Sequence, residues 1–287
     1  MENKPRYAFF GSPEFAAIVL AKLIDAELPP TIIICNPDRP VGRKQIITAP
    51  AVKIEVRKKN LESRIEILQP EKPSEVKDKL AALNLDFAVV AAYSQILRKD
   101  ILAIPRLGII GVHPSLLPKY RGATPIQSTI LNGETETGVT LYKMGEGVDD
   151  GPILATSDNI QITSDETYET LHNKLAEIGG NLLVKIIPSF IAGIIRPQPQ
   201  NNANATLTKK FETQDGFVDP VILRQAQDGD LEKAKEINRR VRALNPEPGI
   251  WTVLNNKRTK ILEVDVIDGR LKLKKIQADG GKPQELP

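Results

Sequence analysis

The chain has little of what several classes of protein require. Its 287 residues include one cysteine, Cys35, and only two histidines. A single cysteine excludes an internal disulfide, and one cysteine with two histidines is too few for a standard structural zinc site. No run of about 18 uninterrupted apolar residues occurs, so no transmembrane helix is expected. The first residues lack the apolar core and small-residue cleavage site of a signal peptide, so we expect a cytoplasmic protein.

Nucleotide-binding motifs are also missing. The turn at Gly11 and Ser12 joins a short apolar run to a helical pattern, but it is not G-x-G-x-x-G, and no Walker sequence occurs. We therefore predict that neither a dinucleotide nor ATP is bound. A hydrophobic content of 41% and a charged content of 26% are typical of a soluble globular protein with an ample core. The net charge of +3 is too small to indicate a nucleic-acid partner by itself.

The first 190 residues or so alternate short apolar runs with longer amphipathic ones. The apolar runs predict buried strands at Tyr7–Phe10, Thr31–Ile34, Phe87–Ala91 and Ile109–Val112. Helical spacing of apolar residues between these runs gives β-α-β units and hence a Rossmann-like parallel sheet. A capping-box pattern at Thr163–Glu166 predicts the start of a later helix that runs through Ile178. Gly179 and Gly180 are expected to interrupt it before a second apolar stretch ends at Gly193.

The pattern changes after a polar, proline-bearing stretch at Arg196–Asn204. We predict domains at residues 1–192 and 206–287, joined by a linker at 193–205. The second domain shows one helical stripe, from Leu231 to Leu244, and then alternating strands with a tight-hairpin signal at Asp268-Gly269. Gln225–Asp230 is interpreted as a polar surface insertion.

Two loops carry the residues best suited to chemistry. His113 stands where a buried strand gives way to a proline-punctuated loop, and Asp149 lies in an acidic turn between two later apolar runs. Ligands of open α/β sheets bind at the carboxyl ends of the strands, so these two side chains could face each other across one crevice. Taken alone, a histidine such as His113 is more often a core residue bonded to a backbone carbonyl, and Asp149 could be an ordinary turn aspartate.

The segments Ser115–Gly122 (SLLPKYRG) and Val148–Pro152 (VDDGP) resemble the signature of the 10-formyltetrahydrofolate-dependent formyltransferases. The resemblance extends along nearly the whole chain and is greatest to the methionyl-tRNA formyltransferases. It implies an α/β, Rossmann-like formyltransferase domain followed by a small OB-like antiparallel β-barrel domain that binds tRNA. It further implies an enzyme that moves a formyl group from 10-formyltetrahydrofolate to the α-amino group of methionine on initiator methionyl-tRNA, for translation initiation. We expect a monomer that uses no metal.

The resemblance also assigns catalytic roles. Formyl transfer to an amine passes through a tetrahedral intermediate, which needs an oxyanion donor and groups that handle protons. In relatives, the residues matching His113 and Asp149 do this work. The family has an asparagine two residues before this histidine, where this chain has Gly111, and loss of one oxyanion donor costs about 10²–10³ in rate. Three interpretations stay open: water or another side chain fills the gap, the enzyme is weakened, or the chain binds ligands without turnover.

Substrate contacts follow from the same resemblance. Two loops are expected to hold the folate, because a flat heterocycle needs an apolar slot with a few fixed polar groups. Their residues are Ser115, Leu116, Leu117, Pro118, Ala92, Tyr93, Ile96 and Leu97.

Arg39, Arg43 and Lys44 lie in a loop that resembles the basic loop by which methionyl-tRNA formyltransferases approach the acceptor stem. Cations on a reachable, flexible segment suit phosphate contacts. Sugar-nucleotide formyltransferases share the catalytic signature, so a nucleotide-linked amino sugar remains an alternative acceptor.

Overall fold

The computed structural model describes residues 4–42 and 44–286. Arg43, one of the three predicted tRNA contacts, lies outside the described residues. The strands are β1 (Tyr7–Phe10), β2 (Ile32–Ile34), β3 (Arg39–Val41), β4 (Ile46–Thr48), β5 (Glu66–Leu68), β6 (Phe87–Ala91), β7 (Ile109–His113), β8 (Glu136–Thr137), β9 (Thr140–Lys143), β10 (Ile153–Thr156), β11 (Ile160–Gln161), β12 (Ile250–Leu254), β13 (Lys257–Ile267), β14 (Arg270–Ala278) and β15 (Gln284–Glu285). The α-helices are α1 (Glu14–Asp25), α2 (Ala51–Lys58), α3 (Lys77–Ala82), α4 (Lys99–Leu102), α5 (Pro125–Leu131), α6 (Tyr168–Ile191), α7 (Pro220–Asp228) and α8 (Leu231–Leu244).

The chain forms two compact units that are discontinuous in sequence. The first comprises residues 1–121, 138–159 and 172–207, and the second comprises residues 122–137, 160–171 and 208–287. The division predicted from the sequence cuts the chain once, at 193–205. The two compact units instead each combine three separate segments of the chain. The contiguous domain boundaries therefore stay a prediction.

A seven-stranded sheet forms the core of the first unit, in the order β10-β9-β7-β6-β1-β2-β5. The five strands from β7 to β5 are parallel. At the β7 edge, β9 pairs antiparallel with β7, and β10 pairs antiparallel with β9. Strands β1, β2 and β7 are wholly buried, as expected of near-continuous apolar runs in a parallel sheet covered on both faces. The predicted Rossmann-like architecture and its four strands are confirmed.

The predicted interruption of the long helix is wrong. Helix α6 begins at Tyr168 and continues without a break through Gly179 and Gly180 to Ile191. A β-carbon at Gly179 would lie 2.9 Å from the Val112 Cγ1 atom on β7. Gly179 therefore lets the helix approach the sheet closely, and this packing offsets the loss of about 1 kcal/mol in helix propensity that glycine brings.

The second unit contains a four-stranded antiparallel sheet in the order β12-β13-β14-β15. The predicted hairpin is confirmed: Asp268 and Gly269 have φ of 50° and 75° and join β13 to β14. The predicted surface insertion is corrected, because its residues 225–228 belong to helix α7. This helix begins after Asp219, whose carboxylate accepts from the Val221 amide, and it ends at left-handed Gly229.

Helix α8 packs on this sheet and buries the predicted stripe from Ala234 to Leu244, whereas Leu231 at the start of the helix is 42% exposed. The antiparallel β domain is thus confirmed. Across the described ranges, no helix combines the length and apolar character needed to cross a bilayer.

Candidate active site

The candidate site lies at the carboxyl edge of the parallel strands. From β1 the chain moves outward to β2 and β5, and then returns to place β6 and β7 on the other side of β1. This reversal creates a crevice outside the carboxyl ends of β1 and β6, which is where open α/β sheets bind their ligands. Ser12, Tyr93 and His113 follow or end the strands that surround it.

His113 is 6% exposed, and both of its ring nitrogens face polar atoms. Its Nε2 lies 2.8 Å from the Tyr120 carbonyl oxygen and must carry a proton to donate to it. Its Nδ1 lies 3.5 Å from Asp149 Oδ2, too far for a good direct hydrogen bond. Since Nε2 is committed to the backbone, Nδ1 is the ring atom left to exchange a proton, and it points toward the carboxylate.

The Asp149 carboxylate lies between His113 and Tyr142. Its Oδ2 faces His113, and its Oδ1 accepts a 2.5 Å hydrogen bond from the Tyr142 hydroxyl. Its backbone has φ of 49°, a left-handed conformation that is uncommon outside glycine and is frequent at functional sites. Asp149 is half-buried, whereas its neighbour Asp150 is exposed. The geometry therefore favours Asp149 over Asp150 as the partner of the imidazole.

Gln200 secures the backbone of the acidic turn. Its amide nitrogen donates to the carbonyl oxygens of Asp149 (2.8 Å) and Gly151 (2.7 Å). Its amide oxygen accepts from Nε and Nη2 of buried Arg121, at 3.1 and 2.7 Å. Arg121 also donates to the Asn202 side chain. A stretch predicted as a linker thus forms part of the support of the candidate site.

The loop after His113 is fixed by Thr140 on the adjacent strand β9. The fully buried Thr140 hydroxyl accepts from the Leu117 amide (3.0 Å) and donates to the Ser115 carbonyl (2.7 Å). The Ser115 hydroxyl in turn donates to the Lys119 carbonyl at 2.7 Å. These contacts constrain the loop next to the imidazole.

The predicted folate-contacting residues divide by exposure. In the loop after His113, Leu116 and Pro118 are partly exposed and Leu117 is buried, while the Ser115 hydroxyl is used internally. In the loop after β6, Ala92 is exposed with φ of 46°, and Ile96 is 84% exposed.

Leu97 belongs to the hydrophobic core. Tyr93 packs its ring edge-on against Phe10, and its buried hydroxyl has no hydrogen-bond partner among the described residues. Burial raises the pKa of Tyr93 to about 12.

The predicted basic loop is a short β-hairpin rather than an irregular loop. Strands β3 and β4 pair antiparallel, with Arg39 opposite Thr48. Lys44 is exposed at the tip, and Arg39 is exposed and forms an ion pair with Glu71. The hairpin also exposes three apolar side chains, Val41, Ile46 and Ile47.

Sequence reasoning missed four residues that shape the site: Arg121, Thr140, Tyr142 and Gln200. Tyr142 lies directly opposite Gly111 in the β7–β9 register. Burial, together with the charge and hydrogen bonding of Asp149, raises the pKa of Tyr142 far above its ordinary value. The sequence feature that points to Tyr142 is Gly111 itself. Protein interiors are closely packed, so the space beside a glycine in a buried strand is filled by a large neighbouring side chain.

Comparison with known proteins agrees with this architecture. The Formyl transferase family model matches residues 5–187, and the model of the Formyl transferase C-terminal domain matches residues 231–275. The chain therefore belongs to the formyl transferase family. It is 40% identical over 266 residues to the methionyl-tRNA formyltransferase of Halorhodospira halophila, covering 92% of this chain and 81% of that protein. It is 39% identical to the enzyme of the same name from Halalkalibacterium halodurans, covering 89% and 77%.

Solved structures share the fold at low sequence identity. An N-formyltransferase from Helicobacter canadensis, in complex with folinic acid and dTDP-3-aminofucose, has a TM-score of 0.67 at 18% identity. That match covers 98% of this chain and all of the other. HypX from Aquifex aeolicus in complex with tetrahydrofolic acid has a TM-score of 0.66 at 14% identity and covers 99% and 46%. At these identities the likeness establishes the fold.

Proposed function

We propose that this chain transfers the formyl group of 10-formyltetrahydrofolate to the α-amino group of methionine carried by initiator methionyl-tRNA. The observation that carries the proposal is the pairing of His113 with Asp149 at the carboxyl edge of a formyltransferase sheet. The acceptor is suggested by relatives that are named methionyl-tRNA formyltransferases and align with about nine-tenths of the chain.

The reaction forms one bond and breaks another. The methionine nitrogen attacks the formyl carbon to give a tetrahedral oxyanion, the bond from that carbon to N10 then breaks, and one amine proton ends on N10. Asp149 and His113 Nδ1 lie 3.5 Å apart and form the group that takes and returns this proton, directly or through a water molecule. Nε2, anchored on Tyr120, keeps the ring orientation fixed throughout.

The folate is proposed to occupy the slot between the loops that follow β6 and β7. Ile96, Leu116 and Pro118 offer partly or largely exposed apolar surface for a flat ring. The buried Tyr93 hydroxyl, which lacks a partner in the described structure, is a candidate polar contact. Ser115 and Leu117 contribute by shaping the loop, because their polar groups are already bonded within the protein. Thr140 binds the Ser115 carbonyl and the Leu117 amide, and the Lys119 carbonyl accepts from the Ser115 hydroxyl.

The direct test is formylation of charged initiator methionyl-tRNA by the wild-type chain. We expect His113→Asn and Asp149→Asn each to lower kcat by about 10²–10⁴, the usual contribution of general acid–base catalysis. His172→Asn, at the other histidine, is the matched control and should retain activity. Formylation of a nucleotide-linked amino sugar, with none of methionyl-tRNA, would replace the proposed acceptor with the alternative one.

The hairpin of β3 and β4 is proposed to approach tRNA phosphates through Arg39, Arg43 and Lys44. Lys44→Glu should raise KM for tRNA and reduce the slope of log K against log salt by roughly 0.7–0.9 for each lost phosphate contact. Lys185→Glu makes the same charge change at an exposed position on α6 and serves as the control. An unchanged KM and salt slope in Lys44→Glu would remove Lys44 from the proposed interface.

A further inference from the structure

Gly111 and Tyr142 share one volume in the sheet. They are directly opposed in the β7–β9 register. A β-carbon built on Gly111 would lie 2.6 Å from Cζ and 2.9 Å from Oη of Tyr142, separations that real β-carbons essentially never show. The phenol therefore fills the space that any side chain at position 111 would need, and the two positions are sterically coupled.

The phenol also points its hydroxyl into the candidate site. Tyr142 is 4% exposed and places its ring at 89° to the His113 ring, with centroids 6.5 Å apart. Its hydroxyl donates to Asp149 Oδ1 at 2.5 Å, while Asp149 Oδ2 faces His113. Because its pKa is raised by burial and by the neighbouring carboxylate, the hydroxyl keeps its proton at any working pH and remains a donor.

We propose that Tyr142 is a positioning residue for formyl transfer: its ring fills the space beside Gly111, and its hydroxyl holds the Asp149 carboxylate toward His113. This inference rests on the proposed function. A hydroxyl has one proton, and here that proton is directed at the carboxylate, so the phenol acts through Asp149 and not on the formyl oxygen. The glycine and the tyrosine then form one matched pair, in which a side chain from β9 supplies a polar contact where β7 has none.

The chemistry supports a kinetic role for this contact. A short hydrogen bond from a hydroxyl to a carboxylate is about twice as strong as one between neutral groups. Asp149 has a left-handed backbone in an otherwise exposed turn, so its side chain needs such an anchor to keep one orientation. Losing the anchor should slow the chemical step and leave substrate binding nearly unchanged.

The test is a mutant cycle measured by steady-state formylation of methionyl-tRNA. Tyr142→Phe keeps the ring and removes only the hydroxyl, and we expect kcat to fall about 10- to 100-fold with both KM values within about twofold. Gly111→Asn should be at least as damaging, because the new side chain collides with the phenol. The double variant Gly111→Asn/Tyr142→Ala relieves the collision and should be more active than Gly111→Asn alone.

Tyr7→Phe is the matched control, because the Tyr7 hydroxyl is also buried and donates at 2.5 Å, but to the Leu28 carbonyl at the opposite end of β1. It should lower thermal stability and leave kcat unchanged. If Tyr142→Phe keeps kcat within about twofold of wild type, the positioning role is refuted while the proposed function stands. A fully active Gly111→Asn would refute the steric coupling. If the wild type transfers no formyl group and the double variant does, both the proposed function and the positioning role fail.

Discussion

Gln200 offers the sharpest test of how the acidic turn is held. Its amide group connects the Asp149 and Gly151 carbonyls to the Arg121 guanidinium. Replacement of Gln200 by leucine keeps the size of the side chain and removes both the donor and the acceptor. The acidic turn then loses the hydrogen bonds that Gln200 donates to the Asp149 and Gly151 carbonyls, and we expect Asp149 to leave its left-handed conformation more readily.

The magnitude follows from the bonds removed. Two hydrogen bonds to backbone carbonyls contribute about 0.5–1.5 kcal/mol each, and the fork from Arg121 contributes about 1.5–3 kcal/mol because the donor is charged. Gln200 is half-buried, so water replaces part of this, and we expect a net loss of about 1–3 kcal/mol of unfolding free energy. A displacement of about 1 Å at a catalytic group costs up to 10² in rate, so kcat should fall about 10- to 100-fold with little change in KM.

The assay combines formylation kinetics with denaturant unfolding followed by circular dichroism. Gln198→Leu is the control, because Gln198 lies two residues earlier, is exposed, and pairs with Ile153 through backbone atoms that the substitution leaves intact. We expect this control to match wild type in both measurements. If Gln200→Leu loses stability but keeps kcat, the turn does not depend on Gln200 for its active geometry and the reasoning is wrong.

Three further predictions concern single buried groups. Thr140→Val removes the hydroxyl that binds the Leu117 amide and the Ser115 carbonyl, and it should cost about 2–4 kcal/mol of unfolding free energy. Thr156→Val, at the exposed cross-strand partner of Thr140, is the control and should cost less than about 0.5 kcal/mol. Equal losses would show that the Thr140 hydroxyl does not stabilise the loop. Cys35 is fully buried, and burial raises the pKa of its thiol to about 12. At about pH 8, well below this pKa, very little of the thiol is ionised to the reactive thiolate. Native protein should therefore react with a thiol reagent far more slowly than unfolded protein, and equal rates would contradict this. Tyr93→Phe removes a buried hydroxyl without a partner in the described residues, so the Tm should stay the same or rise. If this hydroxyl contacts the folate, the variant should also bind tetrahydrofolate about 3- to 10-fold more weakly. Unchanged affinity in a binding titration would exclude the hydroxyl as a ligand contact.

The structure also changes the meaning of Gly111. On sequence grounds, restoring an asparagine there should test whether a donor is missing. The register of β7 and β9 shows that the place is already filled by the Tyr142 ring. A single Gly111→Asn variant therefore tests packing before it tests chemistry, and only the paired substitution separates the two.

Predictions from the local sequence pattern succeeded for elements whose formation depends mainly on their own residues. The four parallel strands were predictable because each is a short, nearly continuous apolar run, which is stable only when buried on both faces. The hairpin at Asp268-Gly269 was predictable because few residues tolerate two successive positive φ angles. The continuity of α6 was not, since glycine disfavours a helix locally and only contact with Val112 on the sheet accounts for its presence.

The sequence by itself determined the fold class, the strand that ends at His113 and the loop that carries Asp149, because apolar periodicity and a short motif are local properties of the chain. Only the tertiary structure decided which groups surround these two side chains. Tyr142 is 31 residues from Gly111 in sequence, and Gln200 is 51 residues from Asp149. Their contacts depend on strand register and on the return of a distant segment, and nothing in the local pattern specifies either one.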